Sequence, residues 1–336
     1  MARTWEFRDY DLEFFGRELE HFVPERVFDA HAHLYELAHW GPDCPVEQGP
    51  PLVSLQQYRM EMGRLMPGRQ FSGLFLGVGL SREWRPASNE FVARQVAPEG
   101  GSRGSLIVSP EQDPEEVRQE VRRNRSAGLK VYHTFARRED TWDAEVREYL
   151  AEEHVRVAHE EGLAITLHLV RERAIADRSN QEQVRHYCEK YPNMKLILAH
   201  AARGFNPFHT IEGIPALAGL RNLWCDSSAV TEAGGFEAII ETLGHDRLLW
   251  GSDFPVSHLR GRAVAIGDSF VWLYEDTLDW ASVAAHARLR PLFVGHESLR
   301  ALKLAARRMK LSDAQIEDVF YYNARRMLGV TGSDGP

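Results

Sequence analysis

The sequence predicts an α/β fold, a (β/α)8 barrel in one domain, and three observations carry that prediction. Short apolar runs alternate with amphipathic stretches over most of the chain, eight runs can be counted, and the turn after the first is not glycine-rich. The alternation is the mark of βα units around a parallel sheet. An open doubly wound sheet usually has fewer strands and opens on a glycine-rich nucleotide loop. Here that position reads Asp29-Ala-His-Ala-His33.

Taken in order, residues 1–25 read as a short helical lead-in to a single domain over 1–330. The eight strand candidates are Arg26–Ala30, Gly73–Val78, Ser105–Val108, Leu129–Tyr132, Ala164–Leu169, Lys195–Ala199, Leu223–Asp226 and Arg247–Trp250. Runs such as Leu-Ile-Leu-Ala at 196–199 suit strands buried on both faces. Between them lie helical patterns. Pro114 opens one behind the N-cap candidate Asp113, and Asp143–Gly162 and Asn180–Tyr191 each stop at Gly or before Pro. Residues 256–311 form a long insertion after strand eight, read as extra C-terminal helices; it includes the apolar run Phe270-Val-Trp-Leu-Tyr274. That run is expected to cover the barrel, and it leaves room for a lid or a homodimer contact. Asp313–Leu328 is the closing helix, and 331–336 is a polar tail.

The composition, 43% hydrophobic and 26% charged over 336 residues, is that of a globular protein. A net charge of -9 gives no general attraction to nucleic acid or anionic membrane, so the expected partner is a small molecule. Cys44, Cys188 and Cys225 are odd in number and widely spaced, which points to neither a disulfide framework nor a cysteine metal site. The N-terminus lacks the apolar core of a signal peptide, and no run approaches the roughly 20 apolar residues of a membrane span. The expected location is cytoplasmic.

The chemistry concentrates at strand ends. His31 and His33 are two apart, so in a strand they share a face. At the C-terminal end of a barrel strand that face is the mouth, where active sites sit. A chance HxH pair is common in a chain with 15 histidines. His168, His200 and Asp253 reduce that chance, because each ends an otherwise apolar strand, the fifth, sixth and eighth. A buried imidazole or carboxylate needs a partner. A shared divalent ion would partner several, and three imidazoles with a carboxylate suit Zn2+, with Mn2+ or Fe2+ as alternatives.

Asp29-x-His31-x-His33 on strand one, histidines on strands five and six and Gly251-Ser-Asp-Phe-Pro255 after strand eight resemble the amidohydrolase superfamily. Asn222-Leu-Trp-Cys-Asp226 on strand seven and the closing Asn323-Ala-Arg-Arg-Met-Leu328 are similar to the amidohydrolase-related branch that contains aminocarboxymuconate semialdehyde decarboxylase-like enzymes. The resemblance runs from about Val27 to Gly329. It implies a barrel with one metal ion held by His31, His33, His168 and Asp253. It also implies a catalytic His200 near the reacting water, and Asp253 as proton acceptor in hydrolysis. Lys130 is ambiguous. In two-metal relatives a strand-four lysine is carboxylated and bridges the ions, with His168 and His200 on the second; the surrounding motifs resemble the one-metal branch. The bland reading of Lys130 is an internal ion pair low in the barrel.

Arg171, Arg173 and Arg203 follow His168 and His200 into loops at the same face, and Arg171, Arg203 and Tyr132 are candidates for substrate binding. Tyr35, Trp84 and Trp142 are candidates for lining the pocket or for packing. His39, His133, His258 and His296 carry no ligand pattern. The expected function is metal-dependent hydrolysis of a small ester, lactone or amide bearing a carboxylate. The alternatives are non-oxidative decarboxylation of an aromatic or unsaturated acid, and a catalytically inactive binding barrel.

Overall fold

The computed structural model describes residues 5–40, 49–79, 81–279 and 289–331; Cys44 and most of the tail lie outside them. Eight parallel strands form a nearly closed barrel: β1 (Arg26–His33), β2 (Gln70–Leu76), β3 (Arg103–Ile107), β4 (Gly128–Val131), β5 (Ala164–Leu167), β6 (Lys195–Leu198), β7 (Leu223–Asp226) and β8 (Leu248–Leu249). Each pairs with the next in sequence order. β8 meets β1 through Ala30 N–H to Trp250 O at 2.9 Å, Asp253 N–H to His31 O at 2.7 Å and His33 N–H to Phe254 O at 2.9 Å. All eight expected strands are present, within a few residues at their ends.

Two apolar layers follow from strand alternation. Phe28, Ala30, Leu74, Ala164, Ile197 and Leu249 face inward and pack with Tyr321, Ala324 and Met327 of the closing segment. The opposite face of the strands packs against the surrounding helices, Val27 and Ala32 among its members. Phe28 and Ala30 are therefore inward and Ala32 outward, a change of phase within β1. The register of β1 against β2 shifts between Asp29 and Ala32, a β-bulge. Such bulges re-aim side chains beside active sites. This one turns His31 and His33 to the barrel mouth, where uninterrupted alternation after Phe28 and Ala30 would face them outward.

Helices begin and end where the sequence signals them. Asp113 caps Pro114–Asn124 by accepting from the Glu115 and Glu116 amides, and Asp177 caps Arg178–Lys190 in the same way. Gly162 ends Glu152–Glu161 in the left-handed conformation, φ 67°. The expected helix over 143–162 is broken: Leu150 and Ala151 are extended between Val146–Tyr149 and Glu152–Glu161. The Leu150 carbonyl accepts from the Tyr187 hydroxyl at 2.9 Å.

The insertion 256–311 requires a correction, because residues 261–274 within it form strands and not helix. Residues Gly261–Ile266 (β9) and Ser269–Tyr274 (β10) form an antiparallel hairpin around Gly267-Asp268. A two-residue turn with glycine at φ 58° matches the twist of paired strands, and alternation over 269–274 has period two, which a helix reading misses. Among the described residues that follow within the insertion, Val294–Arg308 is helical. Among the described residues, no helix is long and apolar enough to cross a membrane.

Candidate metal centre

His31, His33 and Asp253 each offer a donor atom within 4.8 Å of the others, all buried. The Nε2 atoms of His31 and His33 each lie 3.5 Å from Asp253 Oδ1. Their Nδ1 atoms are already engaged: His31 Nδ1–H donates to Asp226 Oδ2 at 2.9 Å and His33 Nδ1–H to the Gly77 carbonyl at 2.8 Å. With Nδ1 protonated, Nε2 of each ring keeps its lone pair. Two lone pairs and a carboxylate oxygen thus face one another with no proton of their own between them, an arrangement that favours a cation at their centre.

Burial, aided by the charge of Lys130, pushes the His31 imidazole down to about 4, so it is neutral at neutral pH. Burial raises Asp253, but His200, His33 and His31 outweigh it and hold the carboxyl at about 2. Neutral imidazole and ionised carboxylate are the states a metal requires. The donor set therefore fits a divalent ion.

Asp29 and Asp226 support the centre. Asp29 is buried at the bulge, where Oδ1 accepts the amides of His31 at 3.0 Å and Ser252 at 2.9 Å, and Oδ2 accepts the Tyr58 hydroxyl at 2.7 Å. One carboxylate thus ties the strand before the histidines to the strand before Asp253. Asp226 accepts from His31, from the His200 amide at 2.9 Å and from the Ser228 amide and hydroxyl. His31, His200 and Asp226 also lie close enough to share an ion. The hydrogen bond from His31 Nδ1 to Asp226, however, makes this group a scaffold for the first.

Of the four residues expected to hold one ion, three converge. His168 is not in that group; its ring centroid is 5.1 Å from that of His200, and its buried Nδ1 has no hydrogen-bond partner among the described residues. Burial first, then the charge of His200, lowers it well below the usual imidazole range. His200 stands between the two halves, its ring 5.0 Å from that of His31. Its Nδ1–H donates to the Ser228 carbonyl at 3.0 Å, which places the lone pair on Nε2, and its Nδ1 is 4.0 Å from Asp253 Oδ2.

Lys130 is buried in the centre itself. Its Nζ lies 3.3 Å from His31 Nε2 and 5.0 Å from the Tyr132 ring centroid. Burial lowers it to about 8, against the opposing pull of Asp253 and Asp226. It is an amine among the ligands, not an ion pair remote from them. Tyr132 sits beside it, with its hydroxyl 3.4 Å from the Gly77 carbonyl.

The arginines divide. Arg171 is engaged by Asp177 at 3.1 Å and Asp143 at 3.7 Å, and Arg173 by Glu212 at 2.6 Å and Asp268 at 3.0 Å. Arg203 has no carboxylate partner within 4.0 Å among the described residues. Tyr35 is buried and packs on Trp40, and Trp84 precedes the helix Arg85–Val96. Trp142 does reach the site, 4.2 Å from His133 and 6.4 Å from His168 between ring centroids.

Sequence reasoning missed three contributors. Asp226 was matched only to a strand motif, His133 carried no pattern, and the aromatic face of β10 was taken for helix. Phe270 and Trp272 pack on Phe205 at 5.0 and 5.2 Å, and Phe205 stacks on His200 at 5.3 Å. Period-two alternation beside Gly267-Asp268 was the available signal for the last.

The amidohydrolase family model matches residues 28–330. The L-fucono-1,5-lactonase of Burkholderia ambifaria is 31% identical over 104 residues, covering 26% of this chain and 34% of its own, so the match spans about a third of that relative. An amidohydrolase from Burkholderia multivorans, solved with bound HEPES, has a TM-score of 0.56 at 14% identity, over 90% of this chain and 99% of its own. A putative 2-pyrone-4,6-dicarboxylic acid hydrolase from Pseudomonas putida gives 0.57 at 14%, over 93% and 100%. The 5-carboxyvanillate decarboxylase of Sphingomonas paucimobilis gives 0.55 at 15%, over 92% and 100%. At these identities the three structures share the fold.

Proposed function

Because the chain belongs to the amidohydrolase family of enzymes, we propose that it is a metal-dependent hydrolase acting on the carbonyl of a small ester, lactone or amide. The observation that carries this reading is the convergence of His31 Nε2, His33 Nε2 and the Asp253 carboxylate beside His200. These three would hold one divalent ion, with zinc the natural choice for the donor set. His168, whose buried Nδ1 lacks a partner among the described residues, would complete it. A zinc-bound form of the Burkholderia multivorans neighbour supports that choice. Such an ion supplies acidified water and polarises a carbonyl oxygen.

The chain's own residues do the rest. Asp253, ionised and adjacent to the donors, accepts a proton from the attacking water at a carboxylate oxygen. His200 Nε2 keeps its lone pair because Nδ1–H is committed to Ser228; it takes up the proton that Asp253 accepted and delivers it to the leaving oxygen or nitrogen, which returns Asp253 and His200 to their starting states. The wall of Phe205, Phe270 and Trp272 excludes bulk water from one side. The lactonase relative and the Pseudomonas hydrolase support hydrolysis.

Decarboxylation is the second reading, favoured by the fold shared with the Sphingomonas decarboxylase. A panel of sugar lactones, aryl esters and aromatic acids separates them. Acid release from lactones or esters, dependent on metal and lost in Asp253→Asn, is the expected result. Release of CO2 from aromatic acids without acid-yielding hydrolysis would overturn it.

A further inference from the structure

His200, Ala201, Ala202 and Arg203 all have positive φ, at 57°, 51°, 61° and 59°. Four L-residues in the left-handed conformation are costly, about 1–2 kcal/mol each. The turn is held by Asp226 accepting from the His200 amide, Thr210 Oγ1–H donating to the Ala201 carbonyl at 2.8 Å and Gly204 N–H donating to the His200 carbonyl at 2.7 Å. A helical turn of either hand brings residues three apart to one side, so His200 and Arg203 project together.

The Arg203 guanidinium is 5.5 Å from the ring centroids of both Trp142 and Phe270. Nη1–H donates to the Arg171 carbonyl at 2.7 Å, its one hydrogen bond among the described residues. Arg171 and Arg173, which follow His168, are each paired with carboxylates; among the described residues Arg203 is paired with none. Burial pulls its pKa down, and no carboxylate opposes that. Trp142, against which it lies, is in turn 4.2 Å from the His133 ring and 6.4 Å from the His168 ring, so the guanidinium sits beside the histidine cluster. A partly desolvated, sandwiched and unneutralised guanidinium is costly to keep without an anion.

We propose that Arg203 is the anchor for a carboxylate carried by the substrate, beside the histidine cluster, with Trp142 and Phe270 fixing the guanidinium and β10 forming the wall that receives the substrate's body. The word substrate rests on the hydrolase reading; the anion site does not. The planar fork of Arg matches a carboxylate in a bidentate pair. One unneutralised charge suits a monoanion and would leave a phosphate dianion in surplus. The aromatic face of β10 continues as Trp272 and Tyr274, whose rings stack at 5.2 Å and 3°.

The test is calorimetric titration of the purified, metal-loaded protein with benzoate, cyclohexanecarboxylate and 2-furoate, with benzamide and methyl benzoate as neutral isosteres, and with inorganic phosphate. At least one carboxylate is expected to bind about tenfold or more tighter than the neutral isosteres and phosphate. Arg203→Gln should remove that preference with metal content unchanged, and Arg203→Lys should keep part of it. The same titrations on chelator-treated protein separate the two proposals: an anchor on Arg203 persists without metal, whatever becomes of hydrolysis. Unchanged binding in Arg203→Gln, loss of binding on metal removal alone, equal affinity for neutral isosteres, tighter phosphate binding, or no carboxylate bound at all would each overturn it.

Discussion

His31 donates its Nδ1 proton to Asp226 Oδ2 across 2.9 Å, and both side chains are buried. The bond selects the tautomer that leaves His31 Nε2 bare toward Asp253. The other Asp226 oxygen takes the His200 amide and the Ser228 hydroxyl, so one carboxylate from β7 aligns residues from β1 and from the turn after β6.

Asp226→Asn should therefore weaken metal binding by about 10–100-fold, the usual cost of losing the acceptor behind a ligating imidazole. Competition with a chromogenic chelator measures it. Circular dichroism should show a folded barrel. Metal affinity equal to wild type would show that His31 holds its orientation without this bond.

Lys130 places a cation where a divalent ion would also be drawn. With its Nζ 3.3 Å from His31 Nε2, it competes for that lone pair. Elemental analysis should give one ion per chain, intact mass should match the unmodified sequence, and Lys130→Met should retain the ion at equal or higher affinity while turnover falls. Two ions per chain, dropping to one or fewer in Lys130→Met, would instead assign a bridging role to a modified lysine.

The barrel was legible because each strand carries its own local signal, a short apolar run before a polar strand end. The HxH pair was legible for the same reason, but its direction was not. His31 and His33 do share a face, yet that face is set by a bulge that Asp29 pins through contacts with Tyr58 and Ser252. Those partners are distant in sequence. Likewise nothing in His200-Ala-Ala-Arg203 announces a left-handed turn; tertiary hydrogen bonds to Asp226 and from Thr210 hold it against propensity. The hairpin at 261–274 was different. Its turn and alternation were present, and the error lay in extending a helical reading through an apolar run.

Stability should fall in acid through buried neutral histidines. His258 is buried among Trp5, Phe7, Phe254 and Phe293; burial first, with His296 and Arg64 adding, lowers it to about 3 from an ordinary 6.5. Between those values the unfolded chain binds a proton that the folded chain refuses. The contribution is thus fully present above 6.5 and is lost as pH falls toward 3, at up to about 1.4 kcal/mol per pH unit. Urea melts at pH 7.5 and 5.0 should show His258→Phe losing less stability than wild type over this step. Equal losses would mean that His258 takes up no proton on unfolding in this range.

The lead-in is joined to the barrel through a buried ion pair rather than by apolar packing alone. Arg260 donates to both Asp11 oxygens at 2.9 and 2.6 Å, with Asp11 wholly buried, and its guanidinium lies 4.1 Å from the Phe293 ring centroid. Replacing such a pair by apolar groups of the same shape can be neutral, but removing one partner leaves a buried charge and costs about 3–5 kcal/mol. Asp11→Ala should show that loss in urea unfolding. The double variant Asp11→Leu/Arg260→Met should recover much of it, because no charge then remains unpaired. A loss below about 1 kcal/mol for Asp11→Ala, the range of exposed pairs, would mean that water reaches Arg260 and the lead-in is held by Phe14, Phe15 and Leu19 instead.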